Sequence, residues 1–570
     1  MTSTEATRAL SDRPDGWWRS AVIYQIYPRS FSDSDGDGIG DIPGITSRLD
    51  YLSALGIDVI WLSPVYSSPQ DDNGYDISDY QNIDPLFGSL DDIDELIEQA
   101  HARGIKLVMD LVVNHTSDEH DWFIQSRQPG SDKRDWYLWR PARPGFEPNT
   151  PGAEPNDIPS AFSGSAWQFD EAGGEYFLHI FSRKQPDLNW ENEAVRQAVY
   201  AMMRWWVDRG VDGFRMDVIN LIAKPPAMLE PGDLSAGWGV NLRLHDFLAE
   251  MNREVGLDRL NLITVGEMPG CTIESAKLVT DADRRELNMV FTFEHVDLDV
   301  APGGRGKWDL ADLPLPVLKG NLADWQYALA DVGWNSLYFA NHDQPRSVSR
   351  FGDDSAEHRV HSAKTLATVL HLHRGTPYVY QGEELGMTNA GYTQIDQYRD
   401  IESVNHYAEA MLAGHQPDDV LHSLSVKSRD NARTPMQWTH GPQAGFTTGD
   451  PWLPVHANHV EINAEAAVAD EASVFHHLRR LIELRHTDLV VVDGRFELLL
   501  PEHPQLWVLT RTLADQVLLV LANCSSTVAE LPADGLPSWQ GATLLLGTHE
   551  DHLASVLQPW ESRILRLGSS

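Results

Sequence analysis

The stretch DGFRMDVIN, residues 212–220, sets an arginine and an aspartate two positions apart in a short apolar run. Strand alternation puts Arg215 and Asp217 on one side, and Phe214 and Met216 on the other. A guanidinium beside a carboxylate favours the ionised carboxylate and is expected to lower its pKa. That suits a nucleophile, and it equally suits a structural ion pair. The choice depends on what surrounds this strand.

Working outward, apolar runs begin near Val22, Val59, Leu107, Gly213, Ile263, Met289, Ser336 and Pro377, with helical periodicity between them. Helices are expected over 90–103, 194–208, 242–255 and 474–485. Eight strand–helix units of this kind indicate a (β/α)8 barrel of the TIM type. A doubly wound open sheet competes, but no GxGxxG follows the first strand. Residues 116–186, rich in Pro, Gly and Trp, read as a subdomain inserted after the third strand. The expected organisation is barrel over 1–115, insertion over 116–186, barrel again over 187–490 and a C-terminal domain over 491–570. The last holds short alternating runs (FELLL, LWVLTRT, VLLVLANC, ATLLLG, SRILRLG) expected to form an antiparallel β-sandwich.

Composition narrows the partners. The 570 residues carry 44 Lys and Arg against 84 Asp and Glu, a net charge of −40. No basic patch offsets that balance, which argues against nucleic acid or an anionic membrane and is compatible with a small neutral substrate. No apolar run reaches 18 residues and no leader-like apolar core opens the chain. The only cysteines are Cys271 and Cys524, so a disulfide framework is not expected and a cytoplasmic location fits.

A second motif lies at DSDGDGIGD, residues 33–41. Asp33, Asp35, Asp37 and Asp41 alternate with small residues, an oxygen-rich pattern suited to a hard cation such as Ca2+. A solvated acidic turn is the bland reading. The loop opens like an EF-hand but has Gly44 where the twelfth-position glutamate would stand.

Catalytic groups of such barrels sit at the C-terminal strand ends. Collected there are Asn114 and His115 after the third strand, Asp217 on the fourth, Glu267 on the fifth, and His342 and Asp343 after the seventh. Like charges are costly to gather without a purpose. Carboxylates of separated pKa suit glycoside hydrolysis: an ionised Asp217 attacks an anomeric carbon, and Glu267, flanked by apolar neighbours in VGEMPG, keeps a proton to donate. Asp343 can bind hydroxyls and stabilise positive charge. A metal hydrolase is the competitor, but the histidines lack HxH or HExxH spacing.

The four segments DLVVNH, DGFRMDVIN, VGEMPG and FANHD, in that order, resemble the four signature regions of the α-amylase family (glycoside hydrolase family 13), and QDDNGYD, SRDNARTPMQW and YRDIES resemble its α-glucosidase and oligo-1,6-glucosidase branch. The resemblance covers almost the whole chain. It implies Asp217 as nucleophile, Glu267 as acid/base and Asp343 as transition-state stabiliser. Asp72, Tyr75, His115, Phe181, Arg215, His342 and Arg429 fall where the branch lines its terminal-glucose pocket, with Arg433 an alternative to Arg429 in the same motif. The 33–41 loop matches the branch's calcium loop, with the carbonyl of Ile39 as a further ligand. Val218 after the nucleophile looks like the α-1,6-preferring members, where Ala or Thr marks the α-1,4 type. The implied activity is an exo-acting retaining α-glucosidase on short α-glucosides. Alternatives are an α-1,4-preferring enzyme, a sucrose isomerase or transglucosidase on the same scaffold, and an inactive family member serving as a binding subunit.

Overall fold

The computed structural model describes residues 16–128, 130–224, 229, 241–301, 306–549 and 554–568. Eight parallel strands run in chain order: β1 (Ile23–Ile26), β2 (Val59–Leu62), β3 (Lys106–Leu111), β4 (Gly213–Met216), β5 (Ile263–Glu267), β6 (Met289–Phe291), β7 (Ser336–Leu337) and β8 (Thr376–Tyr380). Their spatial order is β6-β5-β4-β3-β2-β1-β8-β7, and a parallel bridge between Val290 and Asn335 joins the two ends. This is the (β/α)8 barrel expected from the strand spacing.

The strands are short and apolar because both faces are buried. On β4, Phe214 and Met216 pack outward into the large core shared with the helices, while Arg215 occupies the alternate side. Gly213 is required by close approach: a Cβ there would lie 2.1 Å from the Ile263 carbonyl oxygen on β5. The helices obey ordinary end rules. Helix Leu90–Ala102 starts with a Ser89/Asp92 capping box. Helix Glu193–Arg209, capped by Asn192, ends at Gly210 in the left-handed conformation and delivers the chain to β4.

Between β3 and helix Glu193–Arg209 the chain forms a three-stranded antiparallel sheet, with Glu175–Leu178 between Trp139–Arg140 and Trp167–Asp170. The C-terminal part is a five-stranded antiparallel sheet: β9 (Arg495–Leu499), β10 (Leu506–Leu513), β11 (Gln516–Asn523), β12 (Thr543–Gly547) and β13 (Ser562–Arg566), in the order β9-β10-β11-β13-β12. One face, with Trp507, Leu509, Leu518, Val520 and Ile564, joins the main core. Leu506, Val508, Leu519 and Leu521 on the other face pack with Ala529 and Leu557 of a two-stranded ribbon. Among the described residues no helix is long and apolar enough to cross a membrane.

Candidate active site

The barrel brings the residues singled out on four strands to one rim, with Arg215 at their centre. This guanidinium is 1% exposed. Its Nη1 donates to Asp110 Oδ1 and Asp217 Oδ1, each at 2.7 Å, and its Nη2 lies 2.6 Å from Glu267 Oε2. Three carboxylates from β3, β4 and β5 therefore share one cation. Asp110 is held further by the Tyr75 hydroxyl (3.0 Å) and Trp61 Nε1 (3.2 Å).

This sharing changes the electrostatics expected of Asp217. Its pKa is not lowered but raised to about 6, because burial opposes the charge, Arg215 only partly compensates and Asp110 repels. The sequence pairs Arg215 with Asp217 alone; in space its charge is divided among three partners. Glu267 is pushed higher, to about 8, by burial first and then by Asp217 and Asp343, with Arg215 opposing. At neutral pH Asp217 is mainly ionised and Glu267 keeps its proton. Asp343 lies far on the other side. Burial would raise it, but His342, Arg429, Arg433 and Arg215 hold it well below the usual carboxylate range.

The pocket residues are continuous with this centre. Tyr75 stacks on His342 with ring centroids 5.3 Å apart and hydrogen-bonds His342 Nε2 at 2.7 Å. Gln25 Nε2 donates to His342 Nδ1 at 2.7 Å, and the ring's pKa is depressed to about 3 by burial, so the imidazole is neutral with its proton on Nε2. Arg429 reaches Asp72 at 3.2 Å, Asp400 at 2.9 Å and Asp343 at 3.4 Å. Asp72 is nonetheless raised to about 7 by burial. His115 Nε2 meets the Tyr75 carbonyl at 3.0 Å, its ring lies 5.3 Å from Phe181, and burial lowers its pKa to about 4.

Arg433, the alternative in the same motif, is closer to Asp343 (2.8 Å) than Arg429 is, and both arginines share the buried Asp400. Asp110, Asp400, Gln25 and Gln185 were not singled out from the sequence. Asp110 opens DLVVNH and Asp400 sits in YRDIES, so a buried-carboxylate signal was present in both motifs. Nothing in the local text marks Gln25, or Gln185, which donates to Asp72 Oδ2 at 3.2 Å.

Val218 adopts φ 35°, ψ 41°, a left-handed conformation that a β-branched residue avoids. Its N–H donates to Glu267 Oε2 at 3.1 Å. The side chain is buried with Leu138, Ile180 and Leu221, and Phe181 packs on that cluster.

In the acidic loop, carboxylate oxygens of Asp33, Asp35 and Asp37 lie within 4.8 Å of one another. An all-oxygen set suits Ca2+. The pKa of Asp37 is raised by burial and by the surrounding aspartates Asp35, Asp33 and Asp41, a repulsion that a cation would relieve. Asp41, the fourth aspartate of the motif, is also engaged in the fold. Its Oδ1 caps helix Ile42–Ser47 through Gly44 N (2.6 Å), and its Oδ2 accepts from Ser34 N (2.9 Å) and Oγ (2.8 Å). Ile39 N donates to Asp37 Oδ1 at 2.7 Å.

A parallel barrel whose strand ends gather a protonated glutamic acid, an ionised aspartate and a strongly acidic third carboxyl has the make-up of a glycosidase. Comparison with known proteins makes the class specific. The model of the α-amylase catalytic domain matches residues 25–494. The chain is 52% identical to the oligo-1,6-glucosidase of Parageobacillus thermoglucosidasius, over 97% of this chain and 99% of that one. Among solved structures, a trehalose-6-phosphate hydrolase from Bacillus licheniformis superposes with a TM-score of 0.90 at 45% identity, covering 96% of this chain and 99% of that one. An isomaltulose synthase from Klebsiella sp. LX3 also gives a TM-score of 0.90, at 38% identity over 96% and 99%. The chain belongs to the α-amylase family, on its α-glucosidase and oligo-1,6-glucosidase branch.

Proposed function

We propose that this glycoside hydrolase is an exo-acting, retaining α-glucosidase that releases glucose from the non-reducing end of short neutral α-glucosides, with a preference for α-1,6 linkages. The observation that carries the chemistry is the single Arg215 guanidinium joining Asp217 and Glu267, whose pKa values of about 6 and about 8 bracket neutrality. In the first step Asp217 attacks the anomeric carbon. Glu267 gives its proton to the departing glycosidic oxygen, leaving a covalent glucosyl-enzyme. In the second step Glu267, now ionised, takes a proton from water, which displaces Asp217 with a second inversion. Asp343, ionised through the whole cycle, faces the positive charge that develops on the ring. Asp72 and Arg429, both buried, are suited to grip hydroxyls of the terminal sugar, with Tyr75, His115, Phe181 and His342 completing that wall.

The linkage preference rests on the 52% identical oligo-1,6-glucosidase and on Val218, the branched residue that follows the nucleophile in the chain. One apolar contact of this size discriminates by about 1–3 kcal/mol, so α-1,4 activity is expected to be weaker rather than absent. Ca2+ held by Asp33, Asp35 and Asp37, with Asp41 and the Ile39 carbonyl as further ligands, would order the loop that precedes helix Ile42–Ser47, away from the chemistry. The two free thiols, Cys271 and Cys524, accord with a cytoplasmic location, and the net charge of −40 argues against nucleic acid or an anionic membrane as a partner.

Incubation with isomaltose, maltose, sucrose and trehalose, with products resolved by chromatography, tests this reading. Glucose released faster from isomaltose than from maltose is the expected result. New disaccharides from sucrose would establish the isomerase alternative instead, and no turnover of any sugar would indicate a binding protein.

A further inference from the structure

The turn that follows Asp217 is fastened to the end of β5 at two points. Val218 N–H donates to Glu267 Oε2 at 3.1 Å, and Asn220 Nδ2 donates to the carbonyl oxygen of Pro269 at 2.8 Å. Asn220 is 1% exposed, and its Oδ1 has no hydrogen-bond partner among the described residues. A buried amide that leaves its acceptor unused is placed there for its donor. Val218, whose own N–H makes the first of these bonds, holds a left-handed φ of 35°, and such a conformation persists only where the surroundings impose it. On the C-terminal side of that strained residue, the Asn220–Pro269 bond ties the turn to the chain beyond β5.

Oε2 of Glu267 thus receives two donors, Val218 N–H and Arg215 Nη2. In the protonated acid an oxygen so engaged is the carbonyl-like one, and the proton resides on Oε1. We propose that Asn220 is a positioning residue: by tying the 218–221 turn to Pro269 it keeps the Val218 amide on Oε2 of Glu267 and so presents the protonated Oε1 to the glycosidic oxygen. The inference rests on Glu267 being the general acid.

The charged and titratable groups that face Glu267 are Arg215, Asp217, Asp343, Asp110 and Tyr338. None of them is altered by a change at Asn220. The amide at Val218 favours the ionised form of Glu267, so loosening it moves the basic limb of the kcat/KM profile to higher pH.

The test compares Asn220→Ala with the parent enzyme on isomaltose and on 2,4-dinitrophenyl α-glucoside, whose leaving group departs without a proton. A mis-aimed acid is expected to lower kcat/KM for isomaltose about tenfold or more and for the aryl glucoside about threefold or less, a partial loss of the 100-fold or greater effect of a general acid. The basic limb for isomaltose is expected to shift alkaline. Equal losses on both substrates with an unmoved limb would overturn the proposal and leave Asn220 a structural residue. Should Asn220→Ala fail to fold, Asn220→Leu has a similar volume, adds no charge and cannot donate to the carbonyl, and it reads the same difference. Glu267→Gln is the control. If it too loses both substrates equally, the acid assignment itself fails; if it spares the aryl glucoside while Asn220→Ala does not, only the positioning role is lost.

Discussion

Replacing Glu267 by Gln tests the electrostatic account of the site independently of catalysis. Glu267 is 7% exposed, and its pKa rises from 4.5 to about 8 because burial, Asp217 and Asp343 disfavour its charge more than Arg215 favours it. A folded-state pKa above the unfolded one means that the folded protein binds more protons between those values. The stability linked to this group is therefore fully present below pH 4.5 and is lost as pH rises through 8. The shift of 8 − 4.5 is worth about 5 kcal/mol in total, at about 1.4 kcal/mol per pH unit within the window. Glutamine keeps the shape and an oxygen for Arg215 and Val218 but cannot ionise. Urea unfolding of parent and variant at pH 5, 6, 7 and 8 reads the titration of Glu267 together with that of the carboxyls it is coupled to, since more distant titrations are common to both. The variant is expected to gain stability relative to the parent steadily from pH 5 to 8. It should also lose about 100-fold or more in turnover of isomaltose. A stability difference that stays flat over that range would refute the assignment of Glu267 as the carboxyl that holds its proton at neutrality.

Three further outcomes follow from the same geometry. Asp110→Asn removes one of the three carboxylates on Arg215 without touching substrate, so Glu267 loses a repelling charge and the basic limb of the kcat/KM profile should move to lower pH, by on the order of one unit; an alkaline shift in a pH–rate series would contradict the shared-cation reading. Asp217→Asn should abolish turnover of every glucoside while urea unfolding remains cooperative, and product analysis detecting normal glucose release would remove Asp217 from its role. For the acidic loop, the thermal midpoint measured by calorimetry should rise with added Ca2+ and fall after EDTA, and Asp33→Asn should lose that response; a midpoint unmoved by either would dismiss the calcium site.

The barrel was legible because its signals are local and repeated. Each strand is a short apolar run and each helix has its period and its caps, so eight units could be counted before any contact was known. The raised pKa of Glu267 was legible for the same reason: it lies among apolar residues on one strand, and local apolarity predicts burial. What the sequence could not supply is the division of a charge among distant residues. Arg215 and Asp217 are adjacent in the text, so a pairwise reading lowers Asp217. Asp110, 105 positions away, and Glu267, on the next strand, draw on the same guanidinium and reverse the sign. Asp41 has a second use that the sequence does not record. Its alternation with Asp33, Asp35 and Asp37 is a periodicity of residue type, while the backbone leaves the loop at that point and uses the carboxylate to start a helix. Val218 joins both limits. Its side chain was readable as the neighbour of a nucleophile, but its positive φ and the hydrogen bond from its N–H to Glu267 belong to the backbone, where no residue letter records them. The residue by which linkage preference is read is thus the same residue whose amide holds the acid. A substitution meant to change the preferred glucoside will also disturb the proton donor unless the new side chain accepts the same left-handed backbone.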